Sequence, residues 1–143
     1  MAQKRLFNKD RMRIFLLSLI IVAVLTSCST YTTRKEFDKS LTDYNDLLRW
    51  HQLDKASPYI AESTLEEFKK WAETTKNLRI TDYRVVSSKY DEQSRKASVD
   101  VEFDYYTFSS YRLKTLHDKQ KWSYLEENGE KRWRLVSPPP EFK

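Results

Sequence analysis

The chain has 143 residues, 33% of them charged and 14% aromatic, with one cysteine, one glycine and a formal charge of +5. A single cysteine excludes a disulfide framework within the chain, and Gly129 alone excludes the phosphate-cradling loops of nucleotide-binding folds, which need several glycines for close backbone approach. The excess of positive charge would suit nucleic acid, but five basic residues and one acidic residue fall within residues 1–27; beyond them 21 Lys and Arg face 20 Asp and Glu, so nucleic acid is not an expected partner.

The first thirteen residues carry Lys4, Arg5, Lys9, Arg11 and Arg13 against Asp10, and the apolar run IFLLSLIIVAVL follows from Ile14 to Leu25. A basic segment followed by a short apolar one is the layout of an export signal. Twelve residues fall short of the roughly 20 that span a bilayer as a helix. Directly after come Leu25, Thr26, Ser27 and Cys28, a spelling that resembles the bacterial lipobox. The resemblance implies diacylglycerol on the Cys28 thiol, recognition of Leu25, Thr26 and Ser27 by the lipoprotein signal peptidase, and cleavage before Cys28. Two acyl chains make anchoring effectively stable, so a membrane tethered through Cys28 is the first expected partner. Ser29 replaces the aspartate that, in such lipoproteins, tends to retain the protein in the inner membrane; the resemblance therefore implies lipid anchoring at the outer membrane, on the periplasmic face. The expected organisation is a signal peptide over 1–27, a lipidated polar tether over 28–33, one domain over 34–137, and a Pro-rich tail over 138–143.

From Arg34 to Leu53 apolar residues recur at Phe37, Leu41, Tyr44 and Leu48, the stripe of a half-buried helix. Pro58 suits the first turn of a short helix capped by Ser57. Ser63 and Glu66 read as a capping box opening a third helix that buries Leu65, Phe68 and Trp71 or Ala72 and fades near Lys76. The period then becomes two. Leu78–Tyr90 is rich in strand formers, Ala97, Val99, Val101, Phe103 and Tyr105 alternate with polar residues, and a strand covers Tyr111–His117, with Gln120, Trp122 and Tyr124 as its candidate continuation. Asn128-Gly129 is a strong two-residue hairpin signal, after which Lys131–Val136 returns. Two or three N-terminal helices packed on a curved antiparallel sheet of about four strands make an α+β fold.

That order, with "LLRWHQLDKASPYI", "LRITDYRVVSSKY" and "KQKWSYLEENGEKRWRL", resembles the NTF2-like superfamily as found in small envelope lipoproteins. The resemblance implies a cone-shaped cavity under the sheet, used by some members for catalysis and by others for ligand or protein binding, with Tyr44, His51, Tyr105, Trp122 and Trp133 as possible pocket residues. His51 extends the helical stripe and reads as a polar residue at a helix end; His117 reads as surface. The two histidines lie far apart without a free cysteine, so no metal and no cofactor is expected. The acidic residues Asp100 and Asp104 alternate with the apolar set and should meet water. The expected function is a non-enzymatic binding or assembly module with an envelope protein partner. Its alternatives are a small isomerase- or dehydratase-type enzyme and a carrier of an apolar small molecule.

Overall fold

The computed structural model describes Ile14 and residues 32–143. Cys28 and the Leu25, Thr26 and Ser27 that precede it lie outside the described residues. The chain divides into two units, Met1–Glu36 and Phe37–Lys143, and the second is the folded domain.

Helix α1 covers 32–49, with Phe37, Leu41, Tyr44 and Leu48 buried along one stripe. It stops before the Leu53 end expected for it, and the reason is a helix-terminating motif. The His51 N–H donates to the Leu48 carbonyl at 3.0 Å and the Gln52 N–H to the Leu47 carbonyl at 2.8 Å, while His51 takes the left-handed conformation with φ of 54°. These are the two crossed bonds of a Schellman end, made without the glycine that usually supplies the positive φ. A short helix α2, Leu53–Ala56, leads into a 3-10 turn at Ser57–Tyr59. Ser57 is not a helix cap there; Ala56 flanks the turn, Pro58 occupies its opening, and the Ser57 hydroxyl donates back to the Asp54 carbonyl at 2.6 Å.

Helix α3, Glu62–Thr74, begins one residue before the expected capping box, and its flanking residue Ala61 makes no side-chain cap. Tertiary structure sets the start instead. Ile60 forms a parallel bridge with Leu135, the Ala61 N–H donates to the Leu135 carbonyl at 3.0 Å, and the Glu127 carboxylate accepts from the Glu62 N–H at 3.1 Å. A carboxylate from a distant hairpin thus meets the open amides and positive end of the helix. On α3 only Phe68 is fully buried; Leu65, Trp71 and Ala72 are half-buried.

The sheet is an antiparallel meander, β1 (Leu78–Asp91), β2 (Lys96–Thr107), β3 (Lys114–Glu127) and β4 (Glu130–Leu135), in the order β1-β2-β3-β4. Asn128 and Gly129 both have positive φ, 53° and 78°, as the tight β3–β4 hairpin requires. The strand expected to start at Tyr111 starts at Lys114, because Tyr111 itself is left-handed at φ 49° and sits within the β2–β3 loop, 108–113. The fold is α+β, with three helices ahead of a curved sheet of four strands. Its inner face carries Ala97, Val99, Val101, Phe103 and Tyr105 from β2, Trp122 from β3, and Trp133 and Leu135 from β4, all buried against the α1 stripe. Residues 138–143 also join the body: the Trp71 indole N–H donates to the Pro140 carbonyl at 2.7 Å, and Phe142 packs edge-on against Tyr105 at 4.8 Å between ring centres.

Candidate functional site

The five expected pocket residues do not form one site. Tyr44, Tyr105, Trp122 and Trp133 are buried in the core, whereas His51 sits half-buried at the end of α1. On the inner face the aromatic rings fill space among themselves. Tyr44 meets Trp122 edge-on at 5.6 Å, and Phe37 lies 4.9 Å from Trp133 and 6.2 Å from Trp122. Such tilted and edge contacts add to the large area each ring removes from water.

A polar network runs through this packing. Successive inward positions of β3 are Asp118, Gln120 and Trp122. The Gln120 amide donates to Asn45 Oδ1 at 2.8 Å and to Asp118 Oδ2 at 3.2 Å; its oxygen accepts from the Trp122 indole at 3.2 Å. Asn45 completes the set by donating to the Leu41 carbonyl at 2.8 Å. Gln120 and Asn45 are fully buried and fully satisfied, so they fix the register of β3 on α1 rather than weaken it. Asp118 is different. Burial pushes its carboxyl up to about 6, against the opposing effects of the Gln120 and Lys119 hydrogen bonds. The neighbouring Tyr44 hydroxyl is buried with no hydrogen-bond partner among the described residues, and burial first, then the Asp118 charge, raises its pKa. Asp118 also borders an open depression of about 520 Å3 between the first half of β3 and residues 137–143.

The opposite character appears at one end of the domain, where the tip of α1 and the β2–β3 loop meet across Arg79. Trp50 is 66% exposed, Tyr111 74% and Leu113 62%. Tyr106 and Tyr111 stack with ring centres 5.8 Å apart, Phe108 lies 6.0 Å from Tyr106, and the Arg79 guanidinium sits over Phe108 at 5.0 Å. Arg49 covers Trp50 in the same way at 5.4 Å. Burial lowers the pKa of His51, and the Arg79 charge lowers it further; His51 is therefore a neutral neighbour of this surface at pH 7. Exposed tryptophan, and tyrosine stacked beside arginine, are residue types that dominate protein interfaces. None of Trp50, Phe108, Tyr111 and Leu113 was among the expected pocket residues. Trp50 and Tyr111 carried only the general signal of a high aromatic content, which does not say which rings stay exposed, and Phe108 and Leu113 carried none.

Among the described residues no group of three or more His, Cys, Asp or Glu side chains is arranged to hold a metal ion, and no helix is long and apolar enough to cross a membrane. His117 is at the surface, its imidazole 74% exposed and 3.2 Å from the Glu102 carboxylate, with its neighbour Asp118 turned to the other face.

No protein-family model and no curated protein matches the chain. Among solved structures it is similar to a SEC-C motif containing protein from Psychrobacter arcticus, with a TM-score of 0.53 and 14% identity over 71% of this chain. The chain spans 58% of that protein's length, and at this identity the likeness is one of fold. The intermembrane space region of the chloroplast protein ARC6 aligns with a TM-score of 0.42 and 11% identity, covering 78% of this chain and 95% of that one.

Proposed function

We propose that the protein is a lipid-anchored envelope protein, moored through Cys28 at the periplasmic face of the outer membrane. Its NTF2-like domain acts there as a non-enzymatic binding or assembly module. The observation that carries the reading is the contrast in aromatic placement. The rings facing the helices are spent on packing, while Trp50, Phe108, Tyr111 and the side chain of Leu113 stand at the surface, Phe108 under Arg79. Burying the exposed rings against a partner would release several times the hydrophobic free energy of a scattered surface residue. A short polar stretch between Cys28 and residue 32, where α1 is already helical, would keep the module near the lipid, where its neighbours are other envelope proteins.

Photo-crosslinking in cells tests the reading. A photoreactive residue at position 111 is expected to give a discrete protein adduct, and one at Glu67 on the exposed side of α3 to give none. Cys28→Ala should leave the uncleaved precursor, read by mass spectrometry as residues 1–27 still attached and no acyl mass. Equal adduct patterns at both positions, or normal maturation of C28A, would count against it.

One observation favours a second reading, a small enzyme of NTF2-like type. Asp118 and Tyr44 are a carboxyl titrating near neutrality and an unbonded hydroxyl, the kind of pair that acid–base work on a small substrate needs. Asp118→Asn separates the two: as a module the domain keeps its crosslinks and its cellular role, and as an enzyme it loses the role while keeping the fold.

A further inference from the structure

The outer face of the sheet segregates its charge by strand register. Toward the β2–β3 loop the acidic side chains Asp100, Glu102 and Asp104 are each met. Arg84 pairs with Glu102 and, at 3.0 Å, with Asp104; Thr115 donates to Asp104 at 2.6 Å, and Ser87 donates to Asp100 at 2.6 Å. At the other end the arrangement inverts. Lys89 stands directly opposite Ser98, and Ser98 directly opposite Lys121, so one row across three strands reads Lys, Ser, Lys. The adjoining row places Lys96 opposite Ser123. Among the described residues no salt bridge joins any of these three lysines to a carboxylate. Asp91, the one acid in the two rows, stands directly opposite Lys96 and is held partly by its charge, while also accepting from the Gln93 N–H at 2.9 Å and from the Ser94 hydroxyl at 2.7 Å in its own turn, which leaves Lys89 and Lys121 as the cations flanking Ser98.

These residues line an open depression of about 520 Å3, together with Tyr90, Asp91, Ala97 and Trp122. Neighbouring strands lie about 4.8 Å apart, so the two lysines flanking Ser98 start roughly 10 Å apart, and their long side chains can converge over its hydroxyl. Three ammonium groups on adjacent strands with one carboxylate among them leave a net positive charge. A multiply charged anion is attracted to it, and the serine hydroxyls add neutral donors.

We infer that this depression binds a phosphate group, presented as a free phosphate or pyrophosphate or as the headgroup of an anionic lipid. Lysine recognises phosphate as a point charge with three rotatable donors, which suits an open site approached from several directions. The inference does not depend on the lipid anchor, because every residue of the site belongs to the folded domain.

The test uses the full chain in neutral detergent micelles, followed by amide resonances. Pyrophosphate should shift the signals of Lys89, Ser98 and Lys121 saturably. The double variant Lys89→Gln, Lys121→Gln should weaken that response roughly tenfold or more, as loss of two charge-assisted contacts requires, with its melting temperature unchanged. Lys70→Gln, which removes one charge from α3, should leave it intact. Doping the micelles with phosphatidylglycerol rather than phosphatidylcholine distinguishes the sources: the same amides shift on doping if the headgroup is the ligand, and only with pyrophosphate if a soluble phosphate is. No saturable response in either arm would overturn the inference. So would an undiminished response in the double lysine variant, or an equal loss in K70Q.

Discussion

The inner face of the sheet and the tip formed by α1 and the β2–β3 loop use the same residue types to opposite ends. Inside, Trp122, Trp133, Tyr44 and Phe37 are buried ring against ring; at the tip, the exposed rings of Phe108 and Tyr111 pack on half-buried Tyr106, Arg79 covers Phe108, and exposed Trp50 is covered only by its neighbour Arg49. The difference lies in what surrounds them. A ring on a strand facing α1 has a helix to remove it from water, whereas a ring in a loop beyond the last turn of α1 has only its neighbours. Aromatic content therefore says little about function until the partner of each ring is known.

That contrast makes graded predictions. The largest effect belongs inside: Trp133→Ala should cost about 3–5 kcal/mol, the range for removing a large buried ring, measured by urea denaturation. Next comes Asp118→Asn. The folded-state pKa of about 6 lies above the ordinary aspartate value of 3.8, so the folded state holds a proton that the unfolded chain releases. The native protein should lose stability as pH rises from about 4 to 6, by up to about 3 kcal/mol. D118N should remove that slope and be the more stable protein at pH 7, the two converging below pH 4; a wild-type melting temperature that rises across this window would contradict the assignment.

His51→Gly relieves a left-handed residue at the end of α1 and should add about 1 kcal/mol, or several degrees in Tm for a domain of this size. Tyr44→Phe removes a buried hydroxyl that has no partner among the described residues, and is expected to be neutral or stabilising by up to about 1 kcal/mol. A clear loss in Y44F would mean that the hydroxyl serves a bound group, and would weaken the contrast drawn here. Smallest in stability is Tyr111→Ser at the tip, within about 0.5 kcal/mol by calorimetry, although it should weaken the adduct given by a photoreactive residue placed at Leu113.

Periodicity carried most of the architecture. The steps of four, three and four in Phe37, Leu41, Tyr44 and Leu48 mark the buried stripe of α1, and the alternation from Ala97 to Tyr105 marks the inner face of β2. Asn128-Gly129 locates the last hairpin because few other pairs tolerate two positive φ values. Boundaries decided by distant contacts were not legible. α3 starts where Ala61 bonds to Leu135, 74 residues further along the chain, and no local capping signal reports that. Asp118 shares the parity of Trp122 and Tyr124, so its inward direction was readable once β3 was seen to be continuous. The lysine row was hidden altogether, since Lys89, Lys96 and Lys121 belong to three strands and only register brings them together.

The bridge between Ile60 and Leu135 carries a consequence for how the domain comes into being. Each strand of the meander pairs with its immediate successor and can zip up as it emerges, but α3 gains its clasp only when the final strand arrives. Until that strand is in place, the helical layer has nothing to latch onto at Ala61, and a chain cut before Glu130 would be an unlatched body rather than a shorter version of this one.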